Sequence, residues 1–213
     1  MLNDLPFLLQ ASLVTVSLAI SSMFFGLIIG VLIALARISR NRPLYILGSA
    51  YISIIRGTPL LVQIYIVYYG LPQVGIAFDP VTSGILSLSI NTGAYLSEIF
   101  RAAIQSVDKG QFEASYMLGM THWQAMRRII VPQCIRTAVP PIGNTYISLL
   151  KDTSLVSIVT VSELLHATAL IVARTFQPFT YYLLAAVIYW VLSEIFAFVQ
   201  RRLEVRVNRH VRQ

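Results

Sequence analysis

Long apolar runs separated by short polar segments divide this sequence. Uninterrupted apolar stretches of about 20 residues predict membrane-spanning helices, whereas strict alternation would predict the strands of a barrel. Five stretches predict five transmembrane helices, at residues 7–36, 44–71, 81–104, 138–165 and 179–199. The expected fold is an all-α integral membrane protein, with residues 1–213 forming one transmembrane domain. Segment 106–136 departs from the pattern, with a polar and aromatic insert, QFEASYMLGMTHWQAMRRIIVP, at residues 111–132.

Within the insert, Phe112, Tyr116 and Met120 recur every four residues and form one apolar helical stripe. Glu113 lies near the start of that helix, where the dipole favours a carboxylate. Gly119 suits the left-handed position that ends a helix, and Thr121 with Gln124 has the spacing of a capping box. Arg127 and Arg128 then close a second short helix, and Pro132 stops the pattern before the next span. Such a helix pair either lies in the membrane interface or offers a surface for a partner to grip.

Composition agrees with a membrane protein: 56% of residues are hydrophobic and only 12% charged, against roughly 25% charged in soluble domains. The net charge of +7 has two readings, nucleic-acid binding or the Lys/Arg bias of cytoplasmic loops. Position decides between them. The bases gather at Arg37, Arg40 and Arg42, between residues 109 and 136, and between residues 201 and 212, each group flanking an apolar run. This is a topology signal, and no nucleic-acid partner is expected. Five spans then put the N-terminus outside, and the tail NRHVRQ and the 106–136 segment on the cytoplasmic side. The outer loops, near 72–80 and 166–178, carry Arg174 as their only fixed positive charge. Asn3 and Asp4 lack the positive region of a signal peptide, so the first stretch reads as a retained span.

Cys134 is the only cysteine, which excludes an intrachain disulfide and a cysteine-based metal site. His122, His166 and His210 are scattered, so no metal site is expected. Trp190 and the tyrosines near span ends fit interfacial anchoring or packing. In the first stretch Ser22, Gly26, Gly30 and Ala34 form a small-residue ridge, suited to close helix packing within the chain or between subunits.

Ionisable groups inside a span cost about 2.5–3.5 kcal/mol on insertion scales, so each calls for a reason. Asn91, Tyr95 and Glu98 share one face of the third span, and Asn144, Ser148 and Lys151/Asp152 share one face of the fourth. Two polar stripes of this kind suit a translocation pathway for a zwitterionic amino acid, with Glu98 toward the ammonium group and Lys151 or Arg56 toward the carboxylate. A structural alternative stands beside it. Glu98 and Arg101 can satisfy each other at i,i+3, Lys151 can neutralise a carboxylate on another helix, and Asp152 can cap a broken turn. Arg56-Gly57-Thr58-Pro59 predicts a break in the second span, lining a cavity or forming an ordinary kink.

Glu113-Ala114-Ser115, Gly119 and Ile129-Ile130-Val131-Pro132 together resemble the EAA loop of bacterial ATP-binding-cassette importer permeases. Ser115 stands for the second alanine of the family pattern and Val131 for its leucine. RGTPLL from Arg56, GAYLSE from Gly93 and KDTSL from Lys151 resemble the polar amino-acid branch of that family. YYGLPQ, DKGQFEA and SLLKDTSL are most similar to permeases of cystine uptake systems. The resemblance implies a multi-pass protein of the bacterial inner membrane that imports polar amino acids, L-cystine first among them. It implies a coupling helix carrying Glu113, Ala114, Ser115, Gly119 and Met120, seated on a partner ATPase dimer. It also implies an extracytoplasmic solute-binding protein and a second permease copy, a homodimer being expected and a heterodimer open. This chain has no G-x-x-x-x-G-K-[ST] loop, so it is read as non-catalytic and free of cofactors, with ATP and Mg held by the partner ATPase. An ion-coupled carrier or channel without an ATPase is the alternative, although only one clear span break and no internal repeat appear. A membrane enzyme finds no support in any nucleophile beside a base.

Overall fold

The computed structural model describes residues 4–208, which form helices and turns with no strand among them. Asn3, Arg209, His210 and Arg212 lie outside the described residues, as does most of the basic tail. Helix α1 (Leu5–Ile38) occupies the first apolar stretch. It packs in parallel against α4 (Pro80–Gln105), because its small-residue ridge lets the backbones approach. A methyl group added at Gly26 would stand 3.1 Å from Thr92, and one at Gly30 only 2.8 Å from Leu96. The ridge therefore serves packing within the chain.

The 44–71 stretch is not one straight helix. Helix α2 (Arg42–Gly57) ends at Thr58, and α3 (Leu60–Tyr65) leaves at a bend of 106°, continuing through a π turn at Ile66–Gly70 and a 3-10 turn at Leu71–Val74. Pro59 causes the break, since it can give no N–H to the Ile55 carbonyl four residues back. The side chain of Gln63 supplies the missing donor, its Nε2 donating to Ile55 O at 2.8 Å and to Thr58 Oγ1 at 2.9 Å.

Segment 106–136 folds into α5 (Lys109–Met117), α6 (His122–Ala125), a π turn at Met126–Ile130 and the start of α7 (Val131–Asp152). Pro132 does not stop the helix, contrary to expectation. It falls in the first turn of α7, and the wide π turn before it moves the upstream carbonyls away from the ring. The chain is helical without interruption from His122 to Asp152.

The 138–165 stretch is also not one straight helix. A 3-10 segment, Thr153–Val159, follows α7, and after a 51° bend comes α8 (Leu164–Thr175), which occupies most of the region expected as an outer loop. Helix α9 (Pro178–Asn208) closes the chain. By length and composition α1 and α9 each suffice to cross a membrane, or up to four spans arise if each bent pair counts as one. Helix α4 is more polar because other helices enclose it: Ser83, Ser87, Ser89, Thr92 and Ser97 are buried against protein instead of lipid.

A buried carboxylate fastens the second bend. Glu163 is 0% exposed and caps α8, accepting from His166 N at 2.8 Å. Tyr189 of α9 donates its hydroxyl to the same carboxylate at 2.5 Å, and Thr15 of α1 approaches it at 3.4 Å. Near the start of α1, Asp4 pairs with Arg174 and accepts from Tyr181 at 2.7 Å, tying α1 to both α8 and α9. Since α1 and α4 run parallel and α7 returns beside them, Arg40, Arg42, Arg127 and Arg128 stand at one end of the bundle, and Asp4, Asp79 and Arg174 at the other.

Candidate functional site

The breaks described above bring polar residues from three separated segments around one cavity of about 530 Å³. Thr58 and Pro59 at the first bend, Asn91, Thr92 and Tyr95 on α4, and Asn144, Thr145, Ser148 and Asp152 on α7 line it. Broken backbone is tolerated at membrane depth where it borders such a cavity, and the exposed Thr58 and Pro59 border this one. Tyr95, Asn144 and Ser148 are exposed, so the cavity opens to one side of the chain.

Of the nine sequence-predicted pathway residues, Thr58, Asn91, Tyr95, Asn144, Ser148 and Asp152 meet in this cavity. Arg56 stands just beyond, its guanidinium 5.1 Å from the centre of the Tyr95 ring. Glu98 does not point to the cavity. Its carboxylate bonds Arg37 Nη1 at 3.0 Å and Arg101 at 2.8 Å, the internal pairing its i,i+3 spacing allows. Lys151 is exposed and, like Glu98, is not among the lining residues. Asp152 is the one carboxylate of the lining, and it makes no side-chain hydrogen bond among the described residues.

Gln63, Thr92 and Thr145 do not stand out in the sequence. Gln63 is buried at 8% exposure and receives a hydrogen bond from Asn91 Nδ2 at 3.1 Å, so the bend and the cavity wall share one side chain. A signal for it exists: a lone amide in the run LLVQIY, four residues after Pro59. Asn144 Oδ1 accepts from Gln200 of α9 at 3.2 Å, which holds it at the cavity edge. Asn, Ser and Thr groups offer neutral donors and acceptors. Asp152 is part of the lining and Arg56 stands beyond Tyr95, so groups of both charge signs lie at or near the cavity.

At the basic end of the bundle, α5 and α6 form a hairpin. Asp108 caps α5 by accepting from Gly110 N at 2.7 Å. The helix ends in a left-handed turn at Gly119 (φ +74), where Gly119 N donates to Tyr116 O and Met120 N to Ser115 O. The Thr121–Gln124 capping box starts α6, and Tyr116 Oη lies 2.9 Å from His122 Nδ1 across the turn. Phe112 packs on the core with Val107 and Ile130, fixing the hairpin to the bundle.

Glu113, Ala114 and Gly119 are exposed on this hairpin, and Met120 is half-buried. Ser115 is fully buried and donates to Gln111 O at 2.5 Å, so it faces the bundle. Met117 is 90% exposed, Leu118 75% and Trp123 72%, none covered by this chain. Helical spacing hides these three, because it marks the stripe of Phe112, Tyr116 and Met120 as the apolar face. Of that stripe Phe112 is the anchor, while Tyr116 is exposed and Met120 half-buried, and the most exposed apolar groups lie between and beyond its members.

The protein family described as binding-protein-dependent transport system inner membrane component matches residues 26–209. The L-cystine transport system permease protein TcyB of Bacillus subtilis (strain 168) is 47% identical over 198 residues, covering 92% of this chain and 85% of that protein. The probable amino-acid ABC transporter permease protein YckA of the same organism is 42% identical over 210 residues, 99% of this chain and 93% of that one. A crystal structure of an amino acid ABC transporter with histidines matches 97% of this chain and 96% of its own, at 38% identity and a TM-score of 0.91.

Proposed function

The chain belongs to the family of inner membrane components of binding-protein-dependent transport systems, and from that premise we propose that it is the permease of an ATP-driven importer of polar amino acids, with L-cystine the first candidate. It is a non-catalytic transport subunit, and ATP hydrolysis lies with a separate chain. Family membership sets aside the ion-coupled carrier and the membrane enzyme. The relative at 47% identity is a cystine permease, which supports the choice of cargo.

One observation carries the mechanism. The unbroken helical run from His122 to Asp152 begins at the exposed hairpin and carries cavity residues Asn144, Ser148 and Asp152 toward its other end. At 1.5 Å per residue it is about 45 Å long, enough to traverse the membrane. Partner ATPases that close on ATP draw the hairpin with them, and the rod carries that displacement to the cavity wall. The hairpin's Glu113, Ala114, Gly119 and Met120, with Met117, Leu118 and Trp123, form the docking surface. In this arrangement the chain crosses the membrane five times, with its N-terminus outside and its C-terminus inside, as the gathering of bases at one end supports. The broken pairs α2–α3 and α7–α8 each count as one crossing. The open side of the cavity supports a second permease copy that completes the pathway, and a solute-binding protein delivers substrate at the outer end.

Gly119 tests the coupling. Its φ of +74 strains any side chain, so Gly119→Val disturbs the hairpin turn without touching the cavity. Uptake and substrate-stimulated ATPase activity in proteoliposomes should both fall at least about tenfold, at normal membrane levels. Normal uptake by this variant would refute the docking assignment. Stimulation of the wild-type complex by cystine, before other amino acids, identifies the cargo.

A further inference from the structure

On the side of α4 away from the polar cavity, α1, α4 and α7 enclose a second concavity of about 320 Å³ lined only by apolar side chains. Its floor is made of small buried residues, Ala34, Ala103, Cys134 and Ala138. Its rims are large and exposed, among them Leu35 and Ile135. Small floor and tall rims make a groove. From Met126 in the π turn to Ile142 on α7 the lining runs about 24 Å at the helical rise, most of the thickness of a hydrocarbon core of about 30 Å.

The groove ends at the basic end of the bundle. Arg127 and Arg128 directly follow the lining residue Met126, and Arg40 follows Leu35 by little more than one turn. All three are exposed, and among the described residues no acid pairs with them. The pattern continues no further: Arg37, one turn past Ala34, is already held by Glu98. An apolar channel long enough for an acyl chain, with unpaired guanidinium groups near its basic end, matches a molecule with an acyl chain and an anionic head. We infer that this groove binds an anionic phospholipid of the inner leaflet, its chain over Ala103 and Ala138 and its phosphate at Arg40, Arg127 and Arg128. The inference rests on the membrane orientation proposed above, but lipid retention is read without transport, so the two can fail separately.

The purified transporter with its ATPase, placed in nanodiscs of phosphatidylglycerol and phosphatidylcholine, tests it by native mass spectrometry of the lipids that stay bound. The wild type should retain phosphatidylglycerol preferentially, by about fivefold for each arginine that meets the phosphate. Arg127→Gln with Arg128→Gln, both exposed positions, should remove most of that preference while some lipid remains. Ala138→Leu, which fills the floor, should abolish retention. Equal retention of both lipids by the wild type, or unchanged retention in Ala138→Leu, overturns the site. A photo-crosslinker at Ile135 supplies a measurement independent of these variants. Capture of phospholipid supports the assignment, and capture of a second permease copy or of the ATPase overturns it.

Discussion

Two polar clusters lie within the helical bundle of this protein, and they are built on opposite terms. Around Glu163, every polar group has found another: the carboxylate receives Tyr189, Thr15 and a backbone N–H, and the site is sealed at 0% exposure. Around Asp152, the carboxylate, Ser148 and Tyr95 face an open cavity of about 530 Å³. Polar groups in a bundle core either satisfy one another, and so hold helices together, or stay available to something that enters. Sequence position alone does not distinguish these cases. Glu98, expected at the pathway, belongs to the first kind, because two arginines occupy it.

Deleting the sealed carboxylate puts this contrast under the greatest strain. Glu163→Ala strands the Tyr189 hydroxyl and the first N–H groups of α8, at roughly 1–3 kcal/mol for each buried donor left unpaired. The variant should lose about 2–4 kcal/mol of stability, seen as a large fall in unfolding temperature in detergent and as reduced membrane levels. Glu163→Gln, which still accepts hydrogen bonds, should fall much less. If Glu163→Ala unfolds like the wild type, the sealed cluster does not hold the α7–α8 bend.

Asp152→Asn is the converse. It should leave the unfolding temperature unchanged and lower uptake about tenfold, the order of one charge-assisted hydrogen bond to substrate. A stability loss with normal uptake would move Asp152 into the company of Glu163.

The smallest effect comes from a third setting, exposed and fully bonded. Asp79 caps α4, and hydrogen bonds from the Thr82 hydroxyl and from the backbone hold its carboxyl below the usual carboxylate range. A lowered folded value means that its contribution is present above the ordinary value near 4 and is lost as pH falls through the folded one. Wild-type unfolding temperature should therefore drop slightly more between about pH 5 and pH 3 than that of Asp79→Asn, which can cap without titrating. Identical pH profiles would count against a role for the Asp79 charge.

The same contrast explains how far the sequence can be read. Apolar length marks α1, α4 and the start of α9 to within a few residues, since lipid or protein must cover such runs wherever they fall, but α9 continues nine residues past the apolar run into its basic end. The bends are only partly legible. Pro59 announces a break but not its size, which depends on Gln63 reaching back to Ile55. Pro132 announces a stop that a π turn removes. Helix α8 is hidden because His166 and Arg174 make its apolar run look like a loop. Helical spacing, which is local, picks out five of the residues that line the cavity, and the Pro59 break adds Thr58. It also picks out Glu98 and Lys151, which stand outside the lining, because which way a polar side chain turns depends on tertiary packing. The resemblance in the EAA segment locates the hairpin, yet only the fold shows that Ser115 points inward and Met117 outward.

Gln63 gives the first bend an unusual reliability problem. An ordinary helix distributes its support over a backbone hydrogen bond at every residue, so the failure of one is absorbed by its neighbours. Here one side chain bonds Ile55 and Thr58 across a 106° joint, and the same side chain grips Asn91 in the cavity wall. One codon therefore ties the hinge to the cavity lining, so that a change at Gln63 is felt at both.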